Sequence, residues 1–139
     1  MQINTKVPDS KSAYYQKDVE TMPVEKLKGL QLDLLKKQVQ NVYENNPYFR
    51  KVYDDAGFSP GDLKTLEDIS KIPFMEKSTV REGYPTKIVT GPVEDMRQMH
   101  STSGTTGKPV LIFASEKDID LWADRNARSA RRRASAWRW

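Results

Sequence analysis

Eight consecutive positions, residues 101–108, hold five hydroxyl side chains, two glycines and one lysine, and this run sets the tightest limit on the fold around it. Ser, Thr and Gly at that density do not sustain a helix. Short hydroxyl side chains compete for backbone hydrogen bonds, and glycine loses the most conformational freedom on ordering. The flanks have a different character. Met96, Arg97, Gln98, Met99 and His100 precede the run, and Val110, Leu111, Ile112 and Phe113 follow it; both stretches are of strand type. The expectation is strand, polar loop, strand. Such a loop suits polyphosphate, because glycines let N–H groups converge on an anion, hydroxyls donate to phosphate oxygens, and lysine adds a mobile positive charge. A plain Ser/Gly hairpin turn has a similar composition, so the order of the residues must decide.

That order excludes the Walker A loop, G-x-x-x-x-G-K-[ST]. With its Gly-Lys aligned on Gly107 and Lys108, Thr102 stands where the first glycine is needed and Pro109 where the magnesium-binding hydroxyl is needed. Residues 102–109 instead resemble the phosphate-binding signature of the adenylate-forming superfamily, Ser/Thr-Ser-Gly-Thr-Thr-Gly followed by a Lys/Pro pair. His100 before the loop and the order Lys108-Pro109 at its end narrow the resemblance to the phenylacetate-CoA ligase branch. Upstream, Tyr43 to Arg50, Ala56-Gly57, Leu66-Glu67-Asp68, Ile72-Pro73-Phe74 and Lys77 are similar in order and spacing to that family's amino-terminal region, as are residues 118–124. The resemblance spans residues 14–129.

The resemblance implies an α/β fold: a helical amino-terminal subdomain over residues 1–85, then over 86–124 the first strands of a nucleotide-binding domain, incomplete in this chain. It implies that an intact relative uses ATP, Mg²⁺ and CoA to adenylate an aryl-acetic or related carboxylate, release pyrophosphate and form the acyl-CoA. By motif position, Thr102, Ser103, Gly104, Thr105, Thr106, Gly107 and Lys108 hold the β- and γ-phosphates. Lys108 serves as a tethered charge rather than a nucleophile. No catalytic residue and no metal ligand is assigned, because the ribose-binding acid, most of the acyl pocket and the adenylation lysine of the family are expected beyond Trp139. The chain by itself is expected to form no acyl-CoA.

The helical part is legible from periodicity. After a polar arm over residues 1–20, Leu27, Leu30, Leu34, Leu35, Val39 and Val42 recur at helical spacing behind Met22-Pro23, and the helix stops near Asn45-Asn46-Pro47. Asn46 is placed to cap a second helix with Pro47 at its first position, running to Gly57. Thr65 to Asp68 has the form of a capping box for a short helix ending before Pro73, and residues 77–83 form another. Residues 87–90 suggest a short strand ahead of the Gly91-Pro92 turn. Ser115 with Asp118 caps a last helix carrying Ile119, Leu121 and Trp122. The aromatic set Tyr43, Tyr48, Phe49 and Tyr53, at helical spacing, is assigned to core rather than to an aryl pocket.

Composition excludes several chemistries. There is no cysteine and one histidine, so disulfides, thiolate nucleophiles and His-rich metal sites are absent. His100 is expected to order the loop rather than to act as a base. No stretch approaches the ~18 apolar residues of a membrane span, and a cytoplasmic protein is the expectation. Residues 125–139 stand apart: six Arg, two Trp and no acid, against 17 basic and 19 acidic residues over positions 1–124. Two readings follow. One is a small anion- or nucleic-acid-binding protein that uses the basic tail. The other, preferred because the family-like pattern ends within the tail and lysine vanishes there, is a frameshifted or prematurely terminated gene.

Overall fold

The computed structural model describes residues 12–102 and 109–136, the last five by backbone alone. It opens with a one-turn helix α1, Lys17–Glu20, whose end is drawn back on its start. Oε1 of Glu20 accepts from the N–H groups of Tyr15 and Gln16, both at 2.8 Å. The leucine-rich periodicity becomes α2, Val24–Asn45, with Pro23 just outside it as the extended N-cap. α3, Pro47–Asp55, follows after a single residue. Asn46 makes that sharp break possible: it is extended, and its Oδ1 accepts from Tyr48 and Phe49 N–H at 3.0 and 3.1 Å.

The core lies where these two helices meet. Val39 from α2, Tyr53 from α3, and Phe58 and Leu63 from the connection beyond are all buried, with Leu35, Tyr43, Val52 and Ile72 packed around them. Gly57 adopts φ +66° after α3, a left-handed turn that suits glycine. The turn brings Phe58 back edge-on to Tyr53 at 5.1 Å between ring centroids. Each such side chain contributes about 1.5–3 kcal/mol on full burial. Of the aromatic set expected in the core, Tyr53 is buried and Tyr43 packs against the cluster, whereas Tyr48 and Phe49 are half-buried outside it; periodicity pointed to neither Phe58 nor Leu63, because both sit in irregular chain. Two 3₁₀ turns, Pro60–Asp62 and Leu66–Lys71, close this unit. Asp62 and Asp68 reach back to the N–H groups of Ser59 and Thr65, each at 2.7 Å.

α4, Lys77–Glu82, leads into a turn-rich stretch with a cis Tyr84–Pro85 peptide. The strand expected over residues 87–90 does not form. Lys87 N–H and Val89 N–H bond to Gly83 and Thr86 carbonyls at 2.9 Å, and the carbonyls of Lys87 and Val89 accept from the Asn46 side chain at 3.1 and 3.0 Å. Backbone groups used in this way are unavailable to a ladder.

After a 3₁₀ turn at Val93–Asp95, β1, Met96–Ser101, pairs antiparallel with β2, Leu111–Ser115. Met99 stands opposite Phe113 and His100 opposite Ile112, with an irregularity between Met96 and Gln98. α5, Glu116–Ala136, starts directly from β2 and packs on it. Its first turn is held by Ser115 and Asp118: the Asp118 carboxylate accepts from the Ser115 N–H at 2.9 Å and from its hydroxyl at 2.7 Å. The architecture is therefore helical first and then the start of an α/β unit, with a two-stranded antiparallel sheet. α5 runs without a break across positions 124 and 125, where the arginine-rich stretch begins.

Candidate functional site

Of the seven residues assigned to phosphate, Thr102 is described; Ser103, Gly104, Thr105, Thr106, Gly107 and Lys108 lie outside the described residues. The loop's base is defined nonetheless. Thr102 N–H donates to the Val110 carbonyl at 3.1 Å, and Val110 N–H donates to Thr102 Oγ1 at 3.0 Å. One backbone bond and one bond to the Thr102 side chain thus join these two residues just beyond the last β1–β2 pair, Ser101 with Leu111. Val110 is buried and Thr102 exposed, so the join is anchored from the β2 side. Ser101 and Thr102 also meet, through a 3.1 Å bond from the Ser101 hydroxyl to the Thr102 carbonyl.

His100 is an ordering residue in its geometry. Its Nε2 lies 3.2 Å from Gln98 Oε1, and its ring sits 5.9 Å from the Trp122 ring, centroid to centroid. β1 is thereby tied to α5 across the sheet face that also carries Ala114, which is fully buried. Arg97 on β1 and Glu116 at the start of α5 add an exposed ion pair at 3.7 Å, of small energetic value. Strand, loop ends and helix form one block.

Behind that block is a buried cluster that spacing did not reveal. Asp124 of α5 is 8% exposed. It accepts a hydrogen bond from Gln16 Nε2 and pairs with Arg128 at 3.2 Å. Arg131 Nε donates to the Ser12 carbonyl at 2.9 Å. Arg128, which also donates to Gln16 Oε1 at 3.4 Å, and Arg131 therefore hold the amino-terminal arm against α5, so these two of the tail's six arginines are engaged within the chain. No signal in the sequence marks a contact between positions 108 residues apart.

Among the described residues, no group of three or more His, Cys, Asp or Glu side chains could hold a metal ion. No described helix is long and apolar enough to cross a membrane. An open groove lies between α2 and the Pro60–Asp62 turn, lined by Lys36, Lys37, Gln40, Leu63 and Lys64. None of these belongs to the loop block.

No family model matches the chain. It is, however, 43% identical over 113 residues to the phenylacetate-coenzyme A ligase of Aromatoleum evansii, 41% over 115 residues to that of Thermus thermophilus, and 40% over 113 to that of Escherichia coli K12. These matches cover 81–83% of the chain and 26% of each relative. Among solved structures, 2-hydroxyisobutyryl-CoA ligase in complex with 2-HIB-AMP and CoA superposes with a TM-score of 0.81 at 32% identity, over 89% of the chain and 27% of the ligase. The same ligase in its postadenylation state gives 0.80.

Proposed function

The chain belongs to the phenylacetate-CoA ligase family and spans about a quarter of the length of its curated members; from that premise we propose that it supplies the phosphate-holding loop of an AMP-forming arylacetate-CoA ligase. The observation that carries the reading is the run Thr102 to Lys108 set between the paired residues Thr102 and Val110. In the proposed reaction a carboxylate oxygen attacks the α-phosphorus of Mg²⁺-ATP, the bond to the β,γ-pyrophosphate breaks, and an acyl-AMP forms. The CoA thiol then attacks the acyl carbon and AMP leaves. The loop serves the first step. Hydroxyls and amides of Thr102, Ser103, Gly104, Thr105, Thr106 and Gly107 hold the β- and γ-phosphates in line, and the Lys108 ammonium offsets charge growing on the leaving pyrophosphate. Mg²⁺ supplies further neutralisation of the phosphates when bound with ATP.

Phenylacetate or a related arylacetate is the proposed acid, since the curated relatives at 40–43% identity are phenylacetate ligases, whereas the 2-hydroxyisobutyryl-CoA ligase structures stand at 28–32%. The chain alone is proposed to be inactive. The test is a chimera in which residues of this chain replace the homologous quarter of the Escherichia coli relative. Phenylacetate- and CoA-dependent AMP formation is expected, and Lys108→Ala in the chimera lowers kcat by about 10²-fold, the scale of losing one preorganised charge or donor. A soluble, folded chimera without AMP formation, or CoA-dependent AMP formation by the isolated chain, would sink the reading.

A further inference from the structure

The groove between α2 and the Pro60–Asp62 turn carries an arrangement of charge that the phosphate loop does not use. Its α2 wall is a stripe at helical spacing: Lys36 and Lys37, then Asn41 a turn further on, then Glu44. The other wall adds a third ammonium, Lys64, beside the buried Leu63. Neither Lys36, which is half-buried, nor Lys37 has an ion pair or a side-chain hydrogen bond to any described residue. Charged groups drawn partly out of water are ordinarily paired. A lysine stem lying along apolar surface explains one such group, but not three lining one groove. Asn41 is also underused. Its Oδ1 accepts from Asn45 Nδ2 at 2.9 Å, and its own amide nitrogen has no described acceptor.

We infer that this groove binds a small organic phosphate, with the phosphoryl group held by Lys36, Lys37 and Lys64 and its apolar part against Leu63. The site is independent of the proposed reaction. Lysine is a compact point charge that suits a phosphoryl dianion, whereas a planar carboxylate is better matched by the fork of an arginine. The groove holds about 580 Å³, within the range of small-molecule sites. Its length is also bounded by charge. Asp33, one turn before Lys37, and Glu44 at the far end stand about 16 Å apart along α2 at its usual rise per residue. A polyanion following the helix meets a carboxylate at either end, and a small phosphate between the lysines meets neither.

The probe is phenyl phosphate, titrated into the full 139-residue chain and followed by isothermal calorimetry at low ionic strength. Saturable binding is expected, and Lys36→Gln weakens it about tenfold, the effect of losing one charge-assisted hydrogen bond. The unfolding midpoint of that variant stays at the parent value. Gly61 lines the groove, and a Cβ there meets only Ser59 Oγ, at 3.7 Å. Gly61→Glu therefore adds a carboxylate without a clash and weakens binding at least as much, while Gly61→Gln, of the same size, weakens it far less. Lys108→Ala in the phosphate loop leaves binding in place, which separates the two sites. Benzoate, the same ring with a single charge, binds more weakly than phenyl phosphate. The assignment is overturned if phenyl phosphate does not bind at millimolar concentration, or if Lys36→Gln and Gly61→Glu bind it as the parent does. It is equally overturned if Lys108→Ala abolishes binding, if benzoate binds as well, or if long-chain polyphosphate gathers several chains and binds each more tightly.

Discussion

Asn46 offers the sharpest test of how the helical unit is joined to the loop block. Its side chain is 2% exposed and fully used. Oδ1 accepts from Tyr48 and Phe49 N–H, and Nδ2 donates to the Lys87 and Val89 carbonyls, all within 3.0–3.1 Å. Asn46→Ala removes both functions. Loss of the cap costs about 1–2 kcal/mol, and each carbonyl left without its donor costs about 1 kcal/mol, more where water cannot replace it. The sum is about 3–4 kcal/mol, a large part of the ~5–15 kcal/mol that stabilises a typical domain. Asn46→Ser retains a cap but reaches neither carbonyl, so its loss should be about 2 kcal/mol. Asn46→Asp also retains a cap, yet it turns a carboxylate oxygen toward two carbonyl oxygens. At neutral pH it should therefore be no better than Asn46→Ala. The introduced carboxyl would have its folded pKa raised above its unfolded value, so the deficit of Asn46→Asp relative to the parent should shrink as pH falls through the raised value. Urea unfolding followed by far-ultraviolet circular dichroism at several pH values measures all three. If Asn46→Asp matches the parent at pH 7, or Asn46→Ala costs less than about 1 kcal/mol, the join between α3 and the segment before β1 does not work in this way.

Two other substitutions probe separate links. Asp124→Ala leaves Arg128 and Gln16 without their buried acceptor and should cost about 2–4 kcal/mol, less than a fully buried pair because the Arg128 side chain is 27% exposed. Limited proteolysis should then cut first near Lys17, and unchanged cleavage would show that the arm is held by something else. On the acid side, the Asp68 carboxyl is held well below the ordinary aspartate value near 3.8 by the Lys71 ammonium and the N–H groups of Thr65 and Lys64, and Ser59 lowers Asp62 through its backbone N–H and hydroxyl. A carboxyl with a depressed folded pKa contributes stability that is complete above its unfolded value and is lost as pH falls through its folded one. Unfolding midpoints should therefore drop below about pH 4, and Asp68→Asn should flatten that drop. An identical acid limb in the variant would assign the loss to other groups.

What was legible in the sequence follows the range of the forces involved. Asn46-Pro47, Thr65 with Asp68 and Ser115 with Asp118 each place a helix start within three residues, because capping bonds join neighbours, and all three starts occur as expected. The same Asn46 shows where that reasoning stops. Its accepting oxygen serves residues two and three positions on, but its amide nitrogen serves carbonyls 41 and 43 positions away. Those distant bonds decide that residues 87–90 turn instead of forming a strand. The Gln16–Asp124 contact is of the same kind: neither residue has a periodic partner, and only the packed structure brings them together.

The loop is the opposite case. Its chemistry depends on the order of seven adjacent residues, so Thr102 to Lys108 carries its resemblance without any fold in hand. The structure adds the ends, a paired Thr102 and Val110 on a hairpin whose neighbour α5 is fixed through His100 and Trp122. An adjacent-residue motif and a long-range scaffold thus impose different requirements on the same segment. Substitutions within residues 103–108 of the active chimera should change the adenylation rate with little effect on its thermal unfolding midpoint.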